Sequence, residues 1–199
     1  MSLLFESIRI ENGIIHHLEL HQQRIEKSLI KLGSTNSIDL KQFTSTLDIP
    51  ENGIHKLRIS YDLERIQNHQ ITPYIIRSIQ TVELIKCKEL EYDMKFENRN
   101  LINQLSQQSN ADEIIIVKNG RITDASISNI LFQSKGKWYT SDTPLLNGTT
   151  RAHLIDTGKI SSIPITVDDL KHFDQFCFVN ALNPFDKTVK HPIDLVLNN

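Results

Sequence analysis

Two Asn-Gly pairs, Asn12-Gly13 and Asn119-Gly120, lie in opposite halves of this chain, each between runs of apolar and β-branched residues. The dipeptide suits a two-residue hairpin turn, because both turn positions need positive φ to match the right-handed twist of the flanking strands. Antiparallel β structure is therefore expected in both halves. The first hairpin joins Leu3–Glu11 to Ile14–Leu18. The second follows Asp112–Lys118, whose run Ile114-Ile115-Ile116-Val117 suits a buried strand. Further strands are expected over His55–Leu63, with Leu57, Ile59 and Tyr61 on one face and Lys56, Arg58 and Ser60 on the other. Others are expected over Gln70–Ile85 (interrupted at Pro73), Ile130–Gln133, Ile163–Val167 and Gln175–Asn180.

Between these runs the apolar period changes from two to nearly four. Over Glu19–Leu32, Leu18, Ile25, Leu29 and Leu32 fall on one helical face and Gly33 supplies the stop, while His21, Arg24 and Ser28 form another stripe. Ser37–Leu47 reads as a weaker helix capped by Ser37. Arg99–Ser109 reads as a helix with Leu101, Ile102 and Leu105 inward, and Pro144–Arg151 leads into a short helix ending at Gly158. Phe185 onward reads as a loosely held tail, and polar Lys86–Asp93 as a connection between domains.

The chain has 199 residues, enough for one core or two small ones. A net charge of −2 gives no long-range field to draw in nucleic acid. Cys87 and Cys177 are not in a CxxC pair, so buried free thiols are expected, with no disulfide framework and no metal site. No apolar run reaches membrane-spanning length. Met1–Glu6 lacks the basic and apolar segments of a signal peptide, which points to a cytoplasmic protein.

Lys95 stands in Tyr92-Asp93-Met94-Lys95-Phe96-Glu97-Asn98-Arg99. A neutral lysine amine forms imines with aldehydes, although a lysine in a loop is more commonly just solvated. Arg24 can aim a planar cationic fork at a phosphate, or lie on the surface. Arg58 can hold a substrate carboxylate, or point to water. Asn147-Gly148-Thr149-Thr150 before a helix start can gather backbone N–H groups around an anion, or Thr149 can simply cap the helix.

In this order and spacing, these residues resemble the class IV (fold-type IV) pyridoxal-phosphate enzymes, which include branched-chain and D-amino-acid aminotransferases and aminodeoxychorismate lyase. The resemblance spans about Leu4 to Pro184. Phe5-Glu6-Ser7-Ile8-Arg9 with Asn12-Gly13 is similar to the family's opening strand, His21 and Arg24 to its helix motif, and Lys95 to its cofactor-bearing lysine. Ile122-Thr123-Asp124 through Ser128-Asn129 is similar to the segment whose acid pairs with the pyridine nitrogen. Leu146-Asn147-Gly148-Thr149-Thr150-Arg151 is similar to the phosphate-holding turn.

The resemblance implies an α+β, two-domain fold of the D-amino-acid aminotransferase type, shortened at its N-terminus. It implies a small domain over residues 1–87, a larger one over 88–199, pyridoxal 5'-phosphate in the cleft between them, a small-molecule substrate and a homodimer. It makes Lys95 the catalytic residue. Arg24, Asp124, Ile127, Ser128, Asn129, Thr149, Thr150 and Asn180 would bind cofactor with it, and Phe5 and Arg58 would bind substrate.

Two positions depart from the family pattern: Asp124 stands where glutamate is usual, and Asn180 where a threonine often meets the phosphate. Lys95-x-x-Asn98-Arg99 and Asn110-Ala111-Asp112-Glu113 look most like the lyase branch. That branch releases pyruvate and 4-aminobenzoate from 4-amino-4-deoxychorismate. The alternatives are a small amino-acid aminotransferase and a cofactor-free relative with a binding role.

Overall fold

The computed structural model describes residues 3–197. Met1 and Ser2, on which the signal-peptide expectation partly rests, lie outside the described residues, as do Asn198 and Asn199. The chain divides into two compact units. The first comprises residues 3–76 together with Met94–Asn98, and the second Arg77–Asp93 with residues 99–197. The division thus falls at Ile76, not at residue 87. Lys86–Asp93, expected to connect the domains, belongs to the second unit, where β5 pairs in parallel with β6 and Cys87 N–H donates to Val117 O.

The first unit is a four-stranded antiparallel sheet in the order β2-β1-β3-β4. Its strands are β1 (Leu4–Glu11), β2 (Ile14–Ile15), β3 (Ile54–Tyr61) and β4 (Ile66–Pro73). At the β1–β2 turn Asn12 and Gly13 have φ of 49° and 80°, the paired positive values that the dipeptide predicts. Helices α1 (Leu18–Lys31) and α2 (Leu40–Thr44) accompany the sheet. Helix α2 is shorter than expected, and its cap is Asp39, whose carboxylate accepts from Gln42 N–H at 2.8 Å, rather than Ser37.

Leu4, Ile8 and Ile10 of β1 form the core with Leu57, Ile59 and Tyr61 of β3 and Ile25 and Leu29 of α1. Met94 and Phe96 pack against it. Phe5 N–H donates to Lys95 O at 2.9 Å and Glu97 N–H to Leu3 O at 2.9 Å, with Leu4 opposite Phe96. These bonds satisfy the edge of β1 that β2 leaves uncovered, and they draw Met94–Asn98 into this unit.

The second unit is a mixed sheet whose main path runs β10-β9-β8-β7-β6-β5. In chain order its strands are β5 (Val82–Lys86), β6 (Glu113–Lys118), β7 (Arg121–Ala125), β8 (Asn129–Ser134), β9 (Lys137–Ser141), β10 (Ser161–Ile163), β11 (Gln175–Val179) and β12 (His191–Pro192). Strand β11 pairs with both β8 and β12. Helix α3 (Asn100–Gln108) turns Ile102 inward, but Leu101 is exposed and Leu105 half-buried. Helix α4 is Thr149–Asp156, and α5 is Asp194–Leu197.

The segment after Phe185 is not a loose tail. Ile193 and Val196 are buried with Ile115, Phe132, Phe176 and Phe178, and β12 pairs with β11. Apolar residues spaced across such a short segment carry little periodic signal, so burial against a distant sheet decides their state. Cys87 and Cys177 are buried and free, and burial pushes the Cys177 thiol up to about 12. Among the described residues no helix is long and apolar enough to cross a membrane, and no cluster could hold a metal ion.

Candidate active site

In the first unit, β1 alternates its side chains across the sheet, which places Glu6 on the core face with Leu4 and Ile8. Glu6 and His21 are fully buried. One turn apart on α1, His21 and Arg24 both reach Glu6. His21 Nδ1 lies 2.6 Å from Glu6 Oε2, and Arg24 Nε donates to Oε1 at 2.8 Å while Nη2 donates to Oε2. Burial raises the Glu6 pKa, but Arg24 and His21 outweigh it and hold the carboxyl down at about 2. Burial pushes the His21 imidazole below its ordinary range; Glu6 opposes this, and the charges of Arg24 and Lys95 add to it. Arg24 is thus neither a loose surface arginine nor a bare fork. Its guanidinium is fixed by Glu6, a partner that no periodicity in the sequence exposes.

Lys95 is half-buried. Its Nζ lies 4.6 Å from the centre of the Phe5 ring, with the Arg58 guanidinium 3.8 Å from the same centre. The structure therefore brings Lys95, Phe5 and Arg58 together on the face opposite the core. Arg58 does not simply point to water. It donates to Glu97 Oε1 at 3.0 Å, and Glu97 is a residue that the sequence reading passed over.

In the second unit, Asp124 and Asn129 face each other across β7 and β8. Asp124 Oδ1 accepts from Asn129 Nδ2 at 2.7 Å and Oδ2 accepts from Leu146 N–H at 2.8 Å. Burial pushes the Asp124 carboxyl up to about 6, and these two hydrogen bonds moderate the rise. The shorter acid thus grips the turn that begins α4. Asn129 Nδ2 also donates to Leu146 O at 2.9 Å. Gly148 sits against this amide so closely that a Cβ there would lie 2.1 Å from Asn129 Oδ1.

Helix α4 opens at Gly148 with no side chain capping it, so Thr149 is its first helical residue and not its cap. Thr149 is buried and Thr150 half-buried. Arg151, also buried, donates to Asn147 Oδ1, Ser141 O and Ser162 Oγ, which ties the helix start to β9 and β10.

The loop between Asp124 and Asn129 is held from three directions. Arg99 donates to Ser126 O, and Ser126 N–H donates to Glu113 Oε1 at 3.1 Å. Asn180 Nδ2 donates to Ser128 Oγ at 2.9 Å and to Ile127 O at 3.3 Å, while its Oδ1 accepts from Leu182 and Asn183 N–H. Asn180 therefore spends its amide on this loop and its own turn. Ile127 is half exposed at the loop tip.

The α+β chain thus carries a lysine next to an isolated bridge with β1, an ion-paired arginine on the first helix, a buried acid and an uncapped helix start. The class IV aminotransferase family model matches residues 65–185. An uncharacterized protein of Haemophilus influenzae is 40% identical over 184 residues, covering 90% of this chain and 97% of that one. The chain belongs to the class IV aminotransferase family.

The crystal structure of a proposed 4-amino-4-deoxychorismate lyase from Haemophilus somnus is 33% identical with a TM-score of 0.83, covering 93% of this chain and 98% of that one. The D-alanine aminotransferase of Bacillus licheniformis is 24% identical over 205 residues, covering 86% of this chain and 72% of that one. The protein is thus a pyridoxal-phosphate-dependent enzyme acting on a small molecule. The residues present fit that cofactor. His21 Nε2 is buried without a hydrogen-bond partner among the described residues, the start of α4 offers uncapped N–H groups, and Asp124 is an acid of tunable charge.

Proposed function

We propose that this enzyme is a 4-amino-4-deoxychorismate lyase, releasing pyruvate and 4-aminobenzoate. The observation that carries the reading is the kinship with the Haemophilus somnus protein over nearly the whole of both chains, joined to Lys95-x-x-Asn98-Arg99. Arg99 of that motif anchors the loop that follows Asp124.

When bound, pyridoxal phosphate draws electrons from the carbon next to the substrate nitrogen. Lys95 is the residue that holds its aldehyde carbon. Arg24, braced by Glu6, and the first N–H groups of α4 with Thr149 and Thr150 hold its phosphate. Asp124, anionic above about pH 6, keeps the pyridine nitrogen protonated, with Asn129 fixing the carboxylate plane. Ser128, Asn180 and the Ile127 tip shape the loop beside it. Lys95 takes the proton from the ring carbon that bears the amine. The C–O bond to the enolpyruvyl group then breaks, that group takes up a proton and leaves as pyruvate, and the ring becomes aromatic. Phe5 and Arg58 flank Lys95 to receive the substrate. A homodimer in the cytoplasm is part of the same proposal.

The similarity to D-alanine aminotransferase supports a second reading, amino-group transfer by the same lysine. Incubation with 4-amino-4-deoxychorismate separates the two. The lyase forms 4-aminobenzoate and pyruvate in equal amounts with no added keto acid. Absence of 4-aminobenzoate, together with amino transfer from D-alanine to a keto acid, overturns it. In either case borohydride reduction fixes the cofactor mass on Lys95.

A further inference from the structure

Phe5, Arg58, Ser60, Lys95 and Glu97 share the sheet face opposite the first unit's core. Strand alternation puts them there: Phe5 pairs with Ser60, Ser7 pairs with Arg58, and Lys95 and Glu97 flank the core-packed Phe96. Two cationic groups lie against one ring, which keeps them within about 8 Å of each other, roughly a Debye length at physiological salt. Glu97 is the anion among them. It accepts from Arg58 Nη2 at 3.0 Å and from the Ser60 hydroxyl.

Arg58 lies over the Phe5 ring and is tied to Glu97, yet its side chain remains 34% exposed. Of its five N–H donors, the bond to Glu97 is the one that the described residues engage. A guanidinium centred over an aromatic ring and tied to one acceptor keeps further N–H donors for a ligand, and a guanidinium fork can receive a carboxylate with two parallel bonds. A lysine at position 58 would lack both the plane and the fork.

We infer that Arg58 is the residue that binds a substrate carboxylate beside Lys95, and that Glu97 is its positioning residue, assisted by Ser60. This rests on the reading of Lys95 as the reactive lysine. Glu97 also neutralises one of the two positive charges, so the subsite is matched to one carboxylate.

The test uses the holoenzyme with benzoate and its uncharged counterpart benzamide, neither of which belongs to the lyase or the aminotransferase reaction. Binding is measured by calorimetry or ligand-observed NMR. Wild type binds benzoate about tenfold tighter than benzamide, as a charge-assisted pair requires. Arg58→Ala, or Arg58→Gln where the alanine variant fails to fold, abolishes the preference. Glu97→Ala reduces it about threefold or more, and Glu97→Gln, which keeps an acceptor for Arg58 and Ser60, retains it. In the Arg58→Ala background Glu97→Ala has no further effect, the non-additivity that marks action through Arg58.

No benzoate preference in wild type, a preference surviving loss of Arg58, or a Glu97 effect persisting without Arg58 overturns the inference. If the preference fails while 4-aminobenzoate is still formed, the lyase stands and Arg58 leaves the substrate site. If 4-aminobenzoate is absent while the preference holds, the lyase falls and the subsite stands.

Discussion

Glu6 shows how one carboxylate can bind two side chains of α1. Its pKa is lowered from 4.5 to about 2, so the stabilisation it gives is present above pH 4.5 and is lost as pH falls toward 2. The span corresponds to about 3 kcal/mol. His21, also lowered, loses stability in the same direction as acid charges it. Acid unfolding of Glu6→Gln, followed by circular dichroism, is expected to be flatter than wild type between pH 4.5 and 2, with lower stability at neutral pH.

Asp124 has the opposite sign. Its folded pKa is raised to about 6, so its ionisation costs stability as pH rises through that value. The melting temperature of cofactor-free Asp124→Asn, relative to wild type, is expected to climb between about pH 4 and 6 and to level off above. A flat difference would mean that burial does not tune this acid. The cofactor's positive nitrogen is what would offset the cost, which is a physical reason for keeping a buried acid there.

At the scale of elements, the start of α4 is fixed by packing more than by capping. Gly148 is not needed for its backbone angles, since its φ is −64°. It is needed because Asn129 occupies the space a methyl would fill, and Asn129 is itself held by Asp124 and Leu146. Gly148→Ala is therefore expected to destabilise the protein by about 2 kcal/mol and to weaken cofactor affinity. Thermal melts and cofactor titration measure the two effects. The hairpin turns, by contrast, follow local chemistry: Asn119 and Gly120 have φ of 53° and 78°, as their residue types predict. Helix α5 and β12 were not legible, because their few apolar residues gain meaning only against β11 and the core beyond it.

For the whole molecule, a ligand that binds only the folded chain raises its stability by mass action. Pyridoxal phosphate at a hundred times its dissociation constant is expected to add about 2.7 kcal/mol. The residues proposed to hold it are Lys95, Arg24, Asp124, Asn129, Thr149 and Thr150. Lys95→Ala and Arg24→Ala should each reduce the cofactor-induced shift in melting temperature, and undiminished shifts in both would remove these residues from the cofactor site.

The sequence by itself determined the strand and helix periods, both Asn-Gly reversals and the family. These are properties of short windows, where turn geometry and side-chain alternation act between near neighbours. Only the tertiary structure decided that Glu6 braces Arg24, that Glu97 and Phe5 frame Arg58, that Asn129 forbids a side chain at Gly148, and that residues 94–98 return to the first sheet. Each of these joins positions far apart in the chain, and pairing at such separation is set by burial and by the need to satisfy buried polar groups, neither of which a local pattern records.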